Sequence, residues 1–148
     1  MERALAVVEG DEAAKEIVRT AGELAAATGA EFVLVHVTDE EEYDRRREQL
    51  ESIPTQETQY SVGQALEGAR KFADDIGAEV LADLDVDYEV VGRLGEKAEK
   101  VLSAADEYDV DHVFISGRKR SPTGKAVFGD VAQEVILEFD GAVTVVTV

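Results

Sequence analysis

The residues with the clearest chemical potential form one short segment in the last third of the chain. Residues 116–125 read SGRKRSPTGK, with four cations and no acid, whereas the rest of the chain holds 11 of the 15 basic residues and all 33 acidic ones. A cationic island on so negative a background favours an anion site, most simply one for phosphate. The alternative is a solvated loop whose cations pair with acidic neighbours, and the sequence leaves both interpretations open.

The other side chains that could do chemistry are few. The chain has no Cys and two His, which excludes disulfides, thiolate chemistry and any metal site that needs three histidines. His36 lies in the apolar run FVLVHV and is predicted to be a core histidine, whereas His112 opens a strand and should face solvent or a neighbouring carboxylate. No nucleophile lies beside a plausible base at a known motif, which favours a binding protein over an enzyme. Three acids are spaced like metal ligands but are expected to be solvated, so no metal site is predicted: Asp106, Asp109 and Asp111.

The net charge of −18 limits the possible partners. A surface this negative repels nucleic acid, so no nucleic-acid partner is expected. The acids are spread along the whole chain, which fits either a halophilic cytosol, where a Debye length of about 3 Å at 1 M salt screens the repulsion, or an acidic mesophilic protein. No run approaches the roughly 18 apolar residues that span a bilayer, and the first apolar segment, which ends at Val8, is too short for a signal peptide. A cytoplasmic location is therefore expected, without a membrane partner.

The elements that must position these residues alternate along the chain. Five apolar runs predict strands, and four helical stripes lie between them. The length is typical of one domain, covering residues 1–148. Residues 38–59 are predicted to be a solvated, mobile connection, in which Glu41 and Glu42 are spaced to pair with Arg45 and Arg46 if a short helix forms. The predicted strands are Arg3–Val8, Phe32–Val37, Tyr88–Val91, His112–Ser116 and Val143–Val148, and the stripes run over 14–24, 62–76, 98–108 and 132–139.

Strands that alternate with helices predict an α/β fold, a single doubly wound domain whose parallel sheet is covered on both faces. In such sheets a ligand binds beyond the carboxyl ends of the strands, where the strand order reverses. The loops that could hold one follow the first and fourth strands, at residues 9–11 and 117–125. The cationic segment is the second of these loops.

Several segments together resemble the universal stress protein family, of the UspA-like type, over nearly the full length. Residues 109–115 (DVDHVFI) resemble the family's D-x-D-x-I-V-x-G, and Val8-Glu9-Gly10-Asp11-Glu12 resembles V-D-G-S-E. Gly95-Glu96-Lys97-Ala98 resembles G-x-P-A, with Lys97 in place of Pro. The resemblance implies a Rossmann-like, adenine nucleotide alpha hydrolase-like fold, with five strands in the order 3-2-1-4-5. The acidic composition adds the expectation of a haloarchaeal-type member.

The resemblance also implies where a ligand would bind. One branch of the family binds ATP or AMP through the loop G-x-x-G-x9-G-[ST]. A gapless match places Ser116 and Lys119 at its first two glycines, keeps Gly129 as the third and puts Asp130 at the Ser or Thr. Glu9 stands where that branch has an adenine-contacting Asp. The candidate ligand-binding residues are therefore Val8, Glu9, Gly10, Asp11, Val37, Ser116, Gly117, Arg118, Lys119, Arg120, Ser121, Lys125, Gly129, Asp130 and Val131.

Asp130 is the main departure from that loop. An Asp at a helix start, with Gln133 three residues later, predicts a capping box that would occupy the amides needed by phosphate. Its charge would also repel phosphate by about 4 kcal/mol at an effective dielectric of 20. The four cations, or a magnesium ion held by Asp130, could offset this. Three functions remain open: a nucleotide-responsive binding module using ATP or AMP with Mg²⁺, a nucleotide-free interaction module with a degenerate phosphate loop, and a slow ATPase.

The last predicted strand, Val143–Val148, bears on assembly. It carries no charge, and in a 3-2-1-4-5 sheet it forms an exposed edge, which invites pairing. Members of the family dimerise by pairing this strand across a two-fold axis. The resemblance therefore implies a homodimer, with no particular protein partner identified.

Overall fold

The computed structural model describes residues 1–10, 13–51, 61–117 and 129–147. Within them, five strands form one all-parallel sheet in the order β3-β2-β1-β4-β5, which confirms the predicted fold class and strand order. The strands are β1 (Arg3–Val7), β2 (Glu31–Thr38), β3 (Glu89–Leu94), β4 (His112–Gly117) and β5 (Ala142–Thr147). The helices are α1 (Ala13–Thr28), α2 (Glu40–Glu51), α3 (Val62–Val80), α4 (Lys97–Glu107) and α5 (Asp130–Glu138).

The sheet separates two apolar cores, because alternate side chains of each strand point to opposite faces. On one face Ala4 and Ala6 pack with residues of α1 and α3, such as the fully buried Ile17. On the other face Leu5 and Val101 belong to a cluster that includes α4 and α5. Each such fully buried Leu, Ile or Val contributes about 1.5–3 kcal/mol through its removal from water. This double cover explains why the central strands are apolar runs rather than alternating ones.

Gly92 brings α3 unusually close to the sheet. A Cβ built on Gly92 would clash with the backbone oxygen of Leu66 and lie 2.6 Å from the backbone nitrogen of Arg70. α3 is anchored at its start by a capping box in which the Ser61 hydroxyl accepts from the Gln64 N–H, and the Gln64 side chain accepts from the Ser61 N–H. The missing side chain at residue 92 therefore sets the spacing between α3 and β3.

The segment after β2 differs from the prediction. Residues 40–51 of the predicted connection form α2, whereas residues 52–60 lie outside the described residues. The Asp39 carboxylate accepts a hydrogen bond from the Glu42 N–H at 2.7 Å, and the guanidinium of Arg47 lies 5.9 Å from the centre of the Tyr43 ring. Since α2 has no apolar stripe, it is stabilised by its cap and its own side chains, and periodicity did not reveal it.

Three large residues of the predicted helical stripes are exposed rather than buried. Leu24, Val62 and Ile136 keep 43%, 52% and 41% of their surface accessible. In α1 the buried face turns through Ala21 to Ala25 and leaves Leu24 at its margin. Small residues face the sheet where a helix approaches closely, so larger neighbours in the apolar stripe remain at the flank.

Candidate functional site

The strand order reverses around β1, whose neighbours are β2 and β4. Because all five strands are parallel, the chain leaves β1 and β4 at the same edge of the sheet, which we call the carboxyl edge. Ala6 pairs with Phe114 in the ladder, so the exits at Val8 and Gly117 follow from neighbouring positions. This is where doubly wound α/β proteins bind ligands. The two loops selected from the sequence therefore start side by side.

The exit of β1 is fixed to β2 by two hydrogen bonds. The Val8 N–H donates to the Val35 carbonyl at 2.8 Å, and the Val8 carbonyl accepts from Nδ1 of His36 at 2.6 Å. His36 is only 9% exposed, and its ring centre lies 4.6 Å from that of Phe72. The predicted core histidine is thus confirmed, and its bond assigns the donating proton to Nδ1. The imidazole holds the backbone from which Glu9 and Gly10 continue.

The exit of β4 is fixed to β5. Ser116 pairs with Val146, and Gly117 pairs with Thr147. Gly117 is buried and Ser116 is half-buried. Six predicted site residues lie outside the described residues, so their placement stays a prediction: Asp11, Arg118, Lys119, Arg120, Ser121 and Lys125.

The start of α5 corrects the predicted capping box. Gly129 occupies the cap position with φ of 84°, a backbone conformation that favours glycine, and Asp130 is already the first helical residue. No side chain caps α5, and the only bond across this turn runs from the Gln133 N–H to the Gly129 carbonyl among the described residues. The prediction that Asp130 occupies the first amides was wrong, because the conformation of Gly129 places the cap one residue earlier.

The other described helix starts carry side-chain caps. Ser61 caps α3, and the Glu96 carboxylate caps α4 by accepting from the N–H groups of Ala98 and Glu99 at 3.2 and 2.8 Å. The Asp39 carboxylate does the same at α2. Among these four helices, whose preceding residue is described, α5 alone keeps its first amides without a side-chain acceptor. The negative carboxylate of Asp130 lies in the same first turn as these amides.

Two predicted site residues are buried beneath the carboxyl edge and are not exposed to a ligand there. Val8 and Val37 are 0% and 3% exposed and belong to the cores on opposite faces of the sheet. Val131, at the start of α5, is half-buried against the second core. At the exit of β2 the sequence selected Val37 but not the next residue, the buried Thr38, whose carbonyl accepts from the Gly95 N–H at 3.0 Å. The G-x-P-A-like segment was the available signal for it.

Two of the three acids that were spaced like metal ligands, Asp109 and Asp111, have separate structural roles. The Asp111 carboxylate accepts from the N–H groups of Glu2 and Arg3 at 2.9 and 3.3 Å, and the first of these bonds is the main cause that lowers its pKa. Asp109 pairs with the Arg3 guanidinium at 3.3 Å. No group of three or more potential metal ligands exists among the described residues.

His112 is half-buried near the Asp111 carboxylate, and it also contacts a hydroxyl that the sequence did not predict. Its Nε2 lies 2.7 Å from Oγ1 of Thr144 in β5, and its ring stacks on Phe114 with centres 4.4 Å apart. Burial lowers the pKa of His112, and the nearby Asp111 charge opposes this only in part. The neighbouring strand thus covers part of the His112 side chain.

The helices in the described part of the chain differ from membrane spans. None of them combines the length and the apolar character that crossing a bilayer requires.

The fold and this carboxyl edge define a doubly wound α/β protein of the type that binds ligands at a strand-order reversal. The model of the universal stress protein family matches residues 1–147, and the chain belongs to that family. A comparison with curated proteins found no match.

Solved structures of universal stress proteins share the fold. One from Archaeoglobus fulgidus is 24% identical over 98% of each chain, with a TM-score of 0.64. A structure from the same organism in complex with dAMP is 18% identical over 98% of this chain and 97% of that one, with a TM-score of 0.59. A universal stress protein in complex with cAMP is 16% identical over 99% and 96%, with a TM-score of 0.64. At these identities the likeness supports the fold alone.

Proposed function

We propose that this protein binds an adenine nucleotide at the carboxyl edge and acts as a regulatory module of the stress response. The observation that carries the proposal is the start of α5, whose first amides have no side-chain cap among the described residues. Backbone N–H groups and the positive end of the helix dipole attract phosphate at such a position. The sequence between Gly117 and Gly129 adds Arg118, Lys119, Arg120 and Lys125. Solved structures with the same fold are complexes with cAMP and with dAMP.

Asp130 is the feature that opposes nucleotide binding. Its carboxylate stands at the first residue of α5, and like charges a few ångströms apart repel by about 4 kcal/mol at an effective dielectric of 20. Micromolar affinity corresponds to about 8 kcal/mol, so this repulsion alone would remove half of it. The cations of the loop, or a Mg²⁺ ion between Asp130 and the phosphates, would offset the charge. The second candidate function, a nucleotide-free interaction module, follows if neither does.

The decisive experiment is a calorimetric titration with ATP and with AMP in 2 M KCl, with and without Mg²⁺. The wild type is compared with Asp130→Ser, which restores the residue type of the nucleotide-binding branch. Glu134→Gln is the matched control, because it removes the same charge from the same helix one turn further on.

Saturable binding to the wild type supports the nucleotide module. We expect Asp130→Ser to bind about tenfold or more tightly than wild type in the absence of Mg²⁺, since relieving about 1.4 kcal/mol of repulsion already gives that factor. The affinity of the control should stay within about twofold of the wild-type value. The helix dipole acts mainly in the first turn, and the charge of Glu134 lies beyond it. No binding to the wild type, with binding to Asp130→Ser, supports the nucleotide-free module. No binding to either protein contradicts a nucleotide site at this edge.

Assembly and environment complete the proposal. β5 borders only β4 in the described sheet and carries no charged residue, so pairing between two copies through this edge would give a homodimer. We further propose that the protein acts in the cytoplasm of a salt-adapted organism, since its net charge of −18 is tolerated best where salt screens it.

A further inference from the structure

A cavity of about 580 Å³ opens at the amino edge of the sheet, opposite the carboxyl edge. It lies between the end of α1, the starts of β1 and β2, and residues 85–89 before and at the start of β3. Small-molecule sites occupy roughly 300–1,000 Å³, so the cavity has the size of a ligand site. The five residues of β1 separate the two edges by roughly 16 Å at 3.3 Å per residue. A ligand at one edge therefore does not have to contact a ligand at the other edge.

The floor of the cavity is apolar, and two aromatic rings stand above it among polar residues. Ala30 and Phe32 are buried on its floor, and Tyr88 and Tyr108 line it as half-buried rings. The Tyr88 ring packs on α3 at Gly77, where an added Cβ would lie 3.0 Å from its Cε2. Burial raises the pKa of Tyr88, so the phenol stays neutral at ordinary pH. The cavity thus offers two aromatic rings, of which that of Tyr88 is held against α3.

The rim carries an excess of negative charge. Four carboxylates line it against one cation, Arg3. Arg3 is already paired, through Nε to Glu31 at 3.0 Å and through Nη1 to Asp109 at 3.3 Å. The carboxylates of the remaining three acids make no hydrogen bond or ion pair within the described part of the chain: Asp85, Asp87 and Glu89.

The geometry points to a binding site for a small organic cation, an ammonium or guanidinium group attached to an apolar body. The unpaired carboxylates attract the positive group, and tyrosine faces bind cations within about 6 Å of the ring centre. The apolar floor removes the body of the ligand from water. The carboxylates alone would bind any cation weakly, and it is the cavity with its two tyrosines that selects an organic one. An anionic ligand is repelled by the same rim.

A titration of the ¹⁵N-labelled full-length protein tests the site with choline and with agmatine at constant ionic strength. We expect saturable shifts of amide signals that line the cavity, such as those of Ala26, Gly29 and Val86. The neutral analogue of choline, 3,3-dimethyl-1-butanol, has the same shape without the charge. If it shifts the same signals with equal affinity, or if the cations give only linear shifts over the whole surface, the proposal is overturned.

A pair of double variants separates the rim from the general charge of the protein. Asp87→Asn/Glu89→Gln removes two rim carboxylates. Glu16→Gln/Glu99→Gln removes two exposed carboxylates in the first turns of α1 and α4, near the carboxyl edge. Both double variants change the net charge from −18 to −16. The rim variant should bind choline about fivefold more weakly, because two exposed charge contacts together contribute on that order, while the control stays within about twofold. Equal losses in both variants contradict a specific site, and the wild-type comparison with the neutral analogue holds even if the rim variant fails to fold.

Discussion

Nδ1 of His36 in β2 lies 2.6 Å from the carbonyl oxygen of Val8, the first residue after β1. The carbonyl belongs to a residue with no exposed surface, and the imidazole is 9% exposed. The bond therefore joins two neighbouring strand ends in a place where water cannot replace it. It also fixes the backbone that leads into Glu9 and Gly10, at the proposed nucleotide edge. His36 thus positions the start of the proposed site through this hydrogen bond.

His36→Leu should lower the free energy of unfolding by about 1–3 kcal/mol, because the buried Val8 carbonyl loses its donor. His36→Gln keeps a donor and should lose less. The measurement is urea-induced unfolding, followed by far-ultraviolet circular dichroism. His112→Leu serves as the comparison, because its bond to Thr144 lies in a half-buried position at the edge of the sheet. Equal losses for both histidines would contradict a special role of the His36–Val8 bond.

A matched pair of glycines tests the close contact of α3 with β3. At Gly92 a new Cβ would meet the α3 backbone, whereas at Gly68 in α3 it would find no atom within 4 Å. Gly92→Ala should destabilise the protein by about 1–3 kcal/mol, since a backbone neighbour cannot give way cheaply. Gly68→Ala should stabilise it by about 0.4–1 kcal/mol through helix propensity and the unfolded state. Thermal unfolding monitored by calorimetry gives both values, and a neutral Gly92→Ala would contradict the described spacing.

Particular residues show how far the sequence determines the fold and the candidate site. The apolar runs around Leu5, Val35 and Phe114 predicted the central strands, because burial on both faces leaves no room for polar residues. The sequence did not predict α2, because an apolar stripe was the criterion for a helix. Asp39 with Glu42 three residues later nevertheless has the spacing of an N-terminal cap.

The sequence predicted which loops border the candidate site but not how the helix beside them begins. The exits of β1 and β4 follow from the strand order, but the cap of α5 depends on the φ of Gly129, which no residue pattern displays. The cavity at the amino edge is built from separate parts of the chain, including Arg3, Phe32 and Tyr88. Reading along the sequence cannot bring such residues together, because their proximity arises from the packing of α1 and α3 on the sheet.

Salt dependence distinguishes the two interpretations of the acidic composition. For a protein adapted to high salt, raising KCl from 0.1 to 2 M should increase the midpoint of thermal unfolding by several degrees, because screening reduces the repulsion among an excess of 18 negative charges. The ion pairs of the described residues oppose this trend only weakly, since their side chains are all 31% exposed or more and such pairs contribute little. Scanning calorimetry over a series of KCl concentrations measures this midpoint. A flat or falling midpoint contradicts salt adaptation.

The two edge strands of the sheet make the dimer proposal testable within one molecule. β5 reads AVTVVT and carries no charge, whereas the opposite edge strand, β3, contains Glu89 and Arg93. Charged residues on an edge strand oppose pairing with a second chain, and an uncharged edge allows it. We therefore expect amide hydrogen exchange in β5 to slow as the protein concentration rises, while exchange in β3 stays unchanged. Sedimentation in 2 M KCl should give twice the chain mass of 16.0 kDa. A monomer at high concentration, or equal protection of both edges, would contradict dimerisation through β5.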